Sequence, residues 1–302
     1  ALGLCFVFCL FFVFTRPKFL FLVMMQVEID YQVINEKSPV AVADVPYPLL
    51  RMFGCTENGN SVLANIYGFT PYLYVKAPPG FTVDNCGEFR AQLEQAMREA
   101  AHGAATMRSK KPYILGVEIE MSQSIFGYHG DKLEPFIRIS TALPMQIPTL
   151  RGILEGGVVW KRVPMPTFES NILFPLRFLV DSRVTGCGWV RFPNGAYSLT
   201  PKQSRTSRCQ IEIDVNYSKI ENLGVEGEWS KIAPLRVLSF DIECANRKGL
   251  FPVAEVDPVI QIANLVTVLG ESKPIIRNLF ALRGCSPISN ADVFGFADER
   301  EM

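Results

Sequence analysis

Hydrophobic and polar residues alternate along two stretches of the chain with the period of two that β-strands require. Residues 26–34 show this alternation near the start, and residues 209–217 show it further on, with Glu212 and Asp214 at polar positions. Because successive side chains of a strand point to opposite faces, each stretch predicts a strand with one face in a core. We expect Glu212 and Asp214 to lie on the face that contacts water.

A hairpin is predicted where Asn58 and Gly59 separate the apolar residues 49–55 from residues 61–67. Asn-Gly tolerates the positive φ angles of a tight turn, so this dipeptide between two apolar runs indicates paired antiparallel strands. Residues 71–76 predict a third strand. The three strands together predict a small antiparallel meander.

Two helices are predicted between further strands. After Asp84 and Asn85, either of which can cap a helix, apolar residues recur at spacings of four, four and three on one face: Phe89, Leu93, Met97 and Ala100. A shorter helix is expected from Pro148 to the Gly156-Gly157 pair. Strands are expected at residues 112–121, 135–143, 172–180 and 188–191. This mixture predicts an α+β fold.

Residues 1–25 differ from the rest of the chain, because nearly all are apolar and only Arg16 and Lys18 are charged. A signal peptide has its positive charges before the apolar run, and a transmembrane helix needs about 20 uninterrupted apolar residues, whereas Pro17 and its neighbours interrupt this run. We expect residues 1–25 to be a non-native or mis-predicted segment. The alternative is a membrane-anchored protein held through these residues.

Composition limits the remaining possibilities. A length of 302 residues predicts two globular units, which we place at residues 26–232 and 233–302. The 30 basic and 30 acidic residues cancel, so no overall positive charge indicates a nucleic-acid partner. The eight cysteines form no Cys-x-x-Cys pair, which favours a reducing compartment and gives no support for a structural zinc site.

The candidate chemistry lies in residues 235–244, an apolar run of strand length that contains Asp241 and Glu243. Carboxylates at i and i+2 of a strand share a face. Buried carboxylates are costly unless they are paired or bind metal, and carboxylate oxygens suit magnesium. Further buried strands are expected at residues 257–266 and 275–282, a pattern that fits the start of an RNase H-like nuclease sheet. The alternative is that the two acids pair with Arg236 or Arg247.

Longer motifs carry a resemblance to a known family. Residues 233–244 read Ala-Pro-Leu-Arg-Val-Leu-Ser-Phe-Asp-Ile-Glu-Cys, and residues 257–262 read Asp-Pro-Val-Ile-Gln-Ile. Together they resemble the first exonuclease motif of the family B DNA polymerases. Upstream, Tyr-Gly-Phe-Thr-Pro-Tyr at residues 67–72 and Ser-Ile-Phe-Gly-Tyr-His-Gly at residues 124–130 resemble the N-terminal region of the same family. The resemblance covers residues 27–302.

The resemblance implies a fold, a site and partners. The fold would be a mixed, β-rich and partly OB-like N-terminal domain followed by the start of an RNase H-like 3′–5′ exonuclease domain. Asp241 and Glu243 would be catalytic, as the first two of four acids that hold two Mg²⁺ ions. The partners would be primer-template DNA and single-stranded DNA, with accessory polymerase subunits and a sliding clamp in the full-length parent. The parent would synthesise DNA and proofread it in the nucleus.

Two further expectations concern this chain itself. The remaining acid motifs and the polymerase domain do not occur before Met302, so we expect the chain to be an N-terminal fragment without exonuclease or polymerase activity. An alternative is a non-catalytic single-stranded nucleic-acid-binding module, in which Phe69, Tyr72 and Tyr74 would stack on bases. We expect no membrane partner.

Overall fold

A computed structural model describes residues 21–35, 46–101, 112–124, 126–127 and 130–302. Its first eight strands, in chain order, are β1 (Phe21–Ile34), β2 (Tyr47–Cys55), β3 (Ser61–Tyr67), β4 (Tyr72–Lys76), β5 (Ile114–Ser122), β6 (Glu134–Thr141), β7 (Thr167–Phe168) and β8 (Trp189–Pro193). The others are β9 (Tyr197–Leu199), β10 (Ile211–Asn216), β11 (Glu221–Asn222), β12 (Arg236–Cys244), β13 (Val259–Val268), β14 (Ile276–Leu282) and β15 (Asp292–Phe296). The helices are α1 (Cys86–Ala101), α2 (Ile147–Glu155) and α3 (Phe174–Asp181). The predicted α+β fold class is confirmed.

The largest sheet has seven strands in the order β11-β8-β1-β2-β3-β10-β9. Neighbours in the β8 to β3 stretch are antiparallel, whereas β10 lies parallel to β3. One face of this sheet is apolar and forms a core with α3, which contributes Phe174 and Phe178. Met52, Ile66 and Ile213 are buried in the same core.

Strand β1 starts at Phe21, five residues before the predicted start at Gln26. Residues 21–25 pair with β8, and the exposed fractions of Met24 and Met25 are 0% and 2%. Sequence alternation missed this part because it is apolar on both faces. The predicted boundary after residue 25 therefore falls inside β1. Residues 1–20, which carry the rest of that prediction, lie outside the described residues.

The predicted hairpin is confirmed, but the predicted meander is wrong. Strands β2 and β3 pair antiparallel around a turn in which Gly59 has a φ of +78° and donates its N–H to the carbonyl of Thr56. Strand β4 leaves this sheet and pairs with β6 and β7 in a second sheet, of order β5-β6-β4-β7. Gly68, at a φ of +88°, turns the chain between the two sheets.

Helices α1 and α2 cover the second sheet and share a core with it. Helix α1 buries Phe89, Leu93 and Met97 at the predicted spacing, and Ala101 is buried where Ala100 was expected. Helix α2 buries Leu150, Ile153 and Leu154. The spacing of apolar residues in the sequence therefore predicted the buried face of α1 correctly.

The strand predicted at residues 172–180 is wrong, because Phe174–Asp181 forms α3. Pro175 lies in the first turn, where a missing N–H costs no hydrogen bond and the fixed φ suits a helix. Phe174, Arg177 and Phe178 are buried at i, i+3 and i+4, which is the helical period. The apolar run is too short to tell a strand from a helix by composition alone.

The third sheet, of order β12-β13-β14-β15, lies in the C-terminal part of the chain. The three strands predicted there correspond to β12, β13 and β14. All pairs are antiparallel except β14 with β15. Helices α1, α2 and α3 precede this sheet in the chain and take part in the two cores described above. Consequently the side chains of β12 are exposed on both faces.

Residues 223–235 connect β11, at the edge of the first sheet, to β12. The indole N–H of Trp189 donates to the carbonyl of Lys231 at 2.8 Å, and the ring of Trp189 packs near that of Trp229. Ala233 is buried with Met25 and Trp189 in a small cluster. These contacts hold the chain on the first sheet up to Ala233, three residues before β12 begins.

Candidate metal centre

Asp241 and Glu243 lie on the same face of β12, as predicted. In the antiparallel register with β13, Asp241 is opposite Ala263 and Glu243 is opposite Gln261. Continuing across the sheet, Gln261 is opposite Ala281, which pairs with Gly295. The row that contains Glu243 thus ends in two residues with little or no side chain.

A shallow cavity of about 650 Å³ lies beside Asp241. Ser239, Leu265 and Arg277 form the row next to Asp241 on the same face, and all three line the cavity. Arg277 was not singled out from the sequence, because only the register of β13 and β14 places it near Asp241. It adds a guanidinium, the group suited to phosphate, to the face that carries the two carboxylates.

The two carboxylates are exposed, so the prediction that they lie in a buried strand is wrong. That prediction assumed that an apolar strand is packed on both faces. In the described residues, however, α1, α2 and α3 pack in the two cores of the other sheets and not against this one. The cost of burying a charge therefore gives no reason to expect metal here. The argument for a metal site depends instead on two observations: the two carboxylates share a face of β12, and the described residues place no cationic side chain against them.

The alternative pairing with arginine is not observed. Arg247 contacts Asp257, with two nitrogen–oxygen distances of 3.3 Å. Arg236 lies near Cys55 instead: burial raises the pKa of the Cys55 thiol, and the positive charge of Arg236 partly offsets that rise. Within the described residues, the ion pairs include neither Asp241 nor Glu243. Asp241 Oδ1 accepts the N–H of Ile242 at 3.0 Å, so most of its acceptor capacity is free.

The loop after β12 is held in place by Asp257. Its side chain accepts the N–H of Val253 at 2.9 Å besides contacting Arg247, and Ala245 donates to the carbonyl of Pro258. These contacts close residues 245–258 and bring the ends of β12 and β13 together. The position of Glu243, two residues before this closure, depends on it.

The donor set fits a hard divalent cation. Magnesium commonly takes one or two carboxylates from the protein and completes its six ligands with water or substrate oxygens. Among the described residues no group of three or more His, Cys, Asp or Glu side chains is placed to share a metal ion. Asp241 and Glu243 are therefore a pair of carboxylate donors, and no third side chain of these types joins them in this part of the chain.

The second acid pair, Glu212 and Asp214, was expected in water but is not. Glu212 is fully buried, and Asp214 is partly buried. Burial raises the pKa of Glu212, but hydrogen bonds from Thr206, Ser207 and Asn65 together outweigh burial and lower it overall. The pKa of Asp214 is raised, mainly by burial, and the charge of Glu212 adds to the rise. The strand alternates as predicted, but its polar face is covered by the segment between β9 and β10.

The aromatic residues proposed to stack on bases are part of the fold. Phe69 and Tyr72 are buried, and the guanidinium carbons of Arg138 and Arg177 lie 4.0 and 4.6 Å from the centre of the Tyr72 ring. The hydroxyl of Tyr74 donates to Glu120 at 2.9 Å, and burial followed by this hydrogen bond raises the pKa of Tyr74 to about 12. Phe69 and Tyr72 leave no ring face open for a base.

The membrane alternative gains no support from the described residues. None of their helices is both long enough and apolar enough to cross a bilayer. Most of the segment on which that alternative depends, residues 1–20, lies outside the described ranges.

Comparison with known proteins identifies two family matches. Residues 165–302 match the DNA polymerase family B exonuclease domain, and residues 68–148 match the N-terminal domain of DNA polymerase delta catalytic subunit-like proteins. The first match contains β12 and both of its acids. The resemblance to the family B DNA polymerases that was expected from the sequence is thus confirmed, and the second match is to delta-type proteins within that family.

Individual relatives agree with these matches. DNA polymerase delta catalytic subunits of Arabidopsis thaliana and Bos taurus are 43% and 42% identical to the chain, over 93% of its length in both cases. The chain spans about a quarter (26%) of the length of each of these relatives. A family B DNA polymerase from Pyrobaculum calidifontis has the same fold, with a TM-score of 0.57, 19% identity and coverage of 90% of this chain and 27% of that structure.

Exonuclease domains of the matched family use divalent metal ions to cut DNA. With the two family matches and the delta catalytic subunit relatives, the sequence and the structure show that the chain belongs to the family B DNA polymerases.

Proposed function

We propose that Asp241 and Glu243 are the first two Mg²⁺ ligands of a 3′–5′ proofreading exonuclease, within a delta-type catalytic subunit that synthesises DNA. One observation carries this proposal: both carboxylates share a face of β12, inside the exonuclease match, and neither is paired with a cation in the described structure. Primer-template and single-stranded DNA are the proposed substrates, and the nucleus is the proposed location. Accessory subunits and a sliding clamp are proposed partners of the longer protein.

Each residue of the site has a proposed role. Asp241 and Glu243 hold the metal ions, which supply an activated water and stabilise charge on the phosphate when they are bound. Arg277 lies on the same face, one row from Asp241, where its charge attracts the phosphate of the strand to be cut.

The test is a chimera in which this chain replaces the matching quarter of the Arabidopsis thaliana delta catalytic subunit. Asp241→Ala should reduce removal of a mismatched 3′ nucleotide by at least about a thousandfold, as expected when a ligand of a two-metal site is lost, and should leave primer extension intact. Glu271→Ala, in an exposed turn of the same sheet, is the control and should change neither rate. Unchanged mismatch removal by the Asp241→Ala chimera would contradict the proposal.

A further inference from the structure

Gln261 of β13 is the cross-strand neighbour of Glu243. The antiparallel register places the two residues directly opposite each other, so their side chains lie on the same face of the sheet. Opposite residues of an antiparallel pair have Cβ atoms about 4.5–5.5 Å apart, which lets a glutamine amide reach a glutamate carboxylate. Asp241 has Ala263 in the corresponding position, and alanine offers it no polar group. The register thus gives Glu243 a polar neighbour on β13 that Asp241 lacks.

The amide of Gln261 is not committed to another partner. None of the side-chain hydrogen bonds that β13 forms in the described structure includes it. A glutamine amide offers two N–H donors, whereas an ionised carboxylate only accepts hydrogen bonds. Gln261 is partly buried, and Glu243 is exposed. The two side chains are therefore a free donor and a free acceptor at neighbouring positions.

The pairing of β12 with β13 becomes irregular directly after this pair. Cys244, the next residue of β12, is opposite Val259. Ile260 is thus an extra residue on β13, between Val259 and Gln261. An extra residue of this kind is a β-bulge, which bends its strand and changes the direction of nearby side chains, and such bulges are over-represented next to active sites. The bulge therefore sets the direction of Gln261 where it faces Glu243.

Contacts on both sides of Gln261 fix its backbone. Two residues before it, Val259 donates its N–H to Oε1 of Glu299 at 2.9 Å. Across the sheet, Gln261 pairs with Ala281, whose exposed fraction is 1%. Because the backbone is held and the side chain is partly buried, the amide loses little conformational entropy when it bonds to Glu243.

A hydrogen bond to Glu243 has a chemical use in metal binding. Carboxylates that bind metal ions are themselves held by hydrogen bonds from surrounding residues, and loss of such a residue typically costs about 10–100-fold in metal affinity or activity. A donor on one oxygen of Glu243 leaves the other oxygen for the cation. Without a donor, an exposed glutamate side chain samples several rotamers, and fixing one of them costs conformational entropy. Gln261 is placed to reduce that cost.

We propose that Gln261 is a positioning residue of this metal centre. Its amide N–H donates to one carboxylate oxygen of Glu243, and the other oxygen faces the cation. The proposal rests on the function assigned to Asp241 and Glu243. It adds a residue that acts through Glu243 and not on the metal itself.

The experiment titrates Mn²⁺, which substitutes for Mg²⁺, into the 302-residue chain and follows paramagnetic broadening of the Asp241 and Ala263 amide signals. Gln261→Met keeps the length of the side chain but removes the donor. It should raise the Mn²⁺ concentration at half-broadening by about tenfold. Gln203→Met, at an exposed position in the segment after β9, is the matched control and should leave that concentration unchanged.

A double-mutant cycle tests whether Gln261 acts through Glu243. In a Glu243→Gln background the carboxylate is already gone, so Gln261→Met should cause no further weakening of Mn²⁺ binding. An equal loss in both backgrounds would show that Gln261 acts independently of Glu243 and would overturn the proposal. If Gln261→Met fails to fold, Gln261→Asn takes its place, because its amide is one methylene shorter and should likewise weaken binding.

The outcomes also separate this proposal from the function on which it rests. An unchanged titration for Gln261→Met, together with weaker Mn²⁺ binding by Asp241→Asn, would overturn the role of Gln261 alone. A titration that neither Asp241→Asn nor Glu243→Gln affects would contradict the metal site itself.

Discussion

Arg247 and Asp257 form an ion pair that closes the loop after β12, with two nitrogen–oxygen distances of 3.3 Å. The pair is asymmetric, because the side chain of Asp257 is 3% exposed and that of Arg247 is 49% exposed. This pairing occupies one of the two arginines that were expected as alternative partners of the carboxylates of β12. It leaves Asp241 and Glu243 available.

Because only Asp257 is buried, loss of Arg247 is expected to destabilise the chain more than loss of the Asp257 charge. Arg247→Gln leaves the buried carboxylate of Asp257 without its cationic partner and should lower the free energy of unfolding by about 2 kcal/mol. Asp257→Asn leaves an arginine that can turn to water, so it should cost about 1 kcal/mol. Urea unfolding followed by circular dichroism measures both. A larger cost for Asp257→Asn would contradict this account of the pair.

Gly54 tests the inclusion of residues 21–25 in β1. A Cβ at Gly54 would lie 2.5 Å from the carbonyl oxygen of Met25 and 2.8 Å from the sulfur of Met24. Gly54→Ala should therefore lower the free energy of unfolding by about 2 kcal/mol. Gly87→Ala, in α1 with no atom within 4 Å of the added Cβ, is the matched control and should be neutral or stabilising. Equal effects would show that β1 does not pack against Gly54.

Glu212 should make the stability of the chain depend on acid pH. Its pKa is lower in the folded chain than in the unfolded chain, so its contribution is present above the ordinary glutamate pKa and is lost as pH falls through the folded value. Glu212→Gln should cost about 2 kcal/mol near neutral pH, and this difference should shrink as the pH falls below 4.5. Thermal unfolding across that range measures it, with exposed Glu226→Gln as the control. A constant difference at all pH values would contradict the assigned role.

Asp214 should behave in the opposite direction. Burial raises its pKa above the ordinary value of 3.8, so the folded chain binds a proton more tightly and loses stability as pH rises through the interval between the two values. Asp214→Asn removes this loss. Its stability relative to the unaltered chain should be more favourable at pH 7 than at pH 3. The reverse trend in thermal unfolding would show that Asp214 is not destabilised by burial.

The isolated 302-residue chain is expected to have no exonuclease activity. Asp241 and Glu243 supply two ligands, and within the described residues no third acid, histidine or cysteine joins them. Hydrolysis with two metal ions needs more protein ligands than these two carboxylates. Incubation of the chain with a 3′-labelled single strand and Mg²⁺ should release no nucleotide above the level of the Asp241→Ala variant. Release that depends on Asp241 would contradict the expectation.

Local sequence rules succeeded where one element decides its own structure. The Asn58-Gly59 turn and the apolar face of α1 follow from backbone conformation and helical period, and both were predicted correctly. The shared face of Asp241 and Glu243 likewise follows from strand geometry alone. The rules failed at Phe174–Asp181, where a short apolar run was compatible with either element.

Burial was harder to predict, because it depends on what packs against a strand. Glu212 occupies a polar position of an alternating strand, yet the segment after β9 covers it. Asp241 lies in an apolar run, yet the described residues leave both faces of β12 open. Similarly, β4 was placed in the wrong sheet, and Arg277 was overlooked, because strand order and register are not encoded locally.

The most direct test of the central claim is paramagnetic line broadening in the 302-residue chain by Mn²⁺, which substitutes for Mg²⁺ at carboxylate sites. The account predicts that amide signals of residues 240–244, and of Ala263 across the sheet, broaden first as Mn²⁺ is added. This broadening should disappear in the Asp241→Asn, Glu243→Gln double variant and persist in the Glu212→Gln control. Broadening that spares β12, or that survives in the double variant, would contradict the assignment of Asp241 and Glu243 as metal ligands.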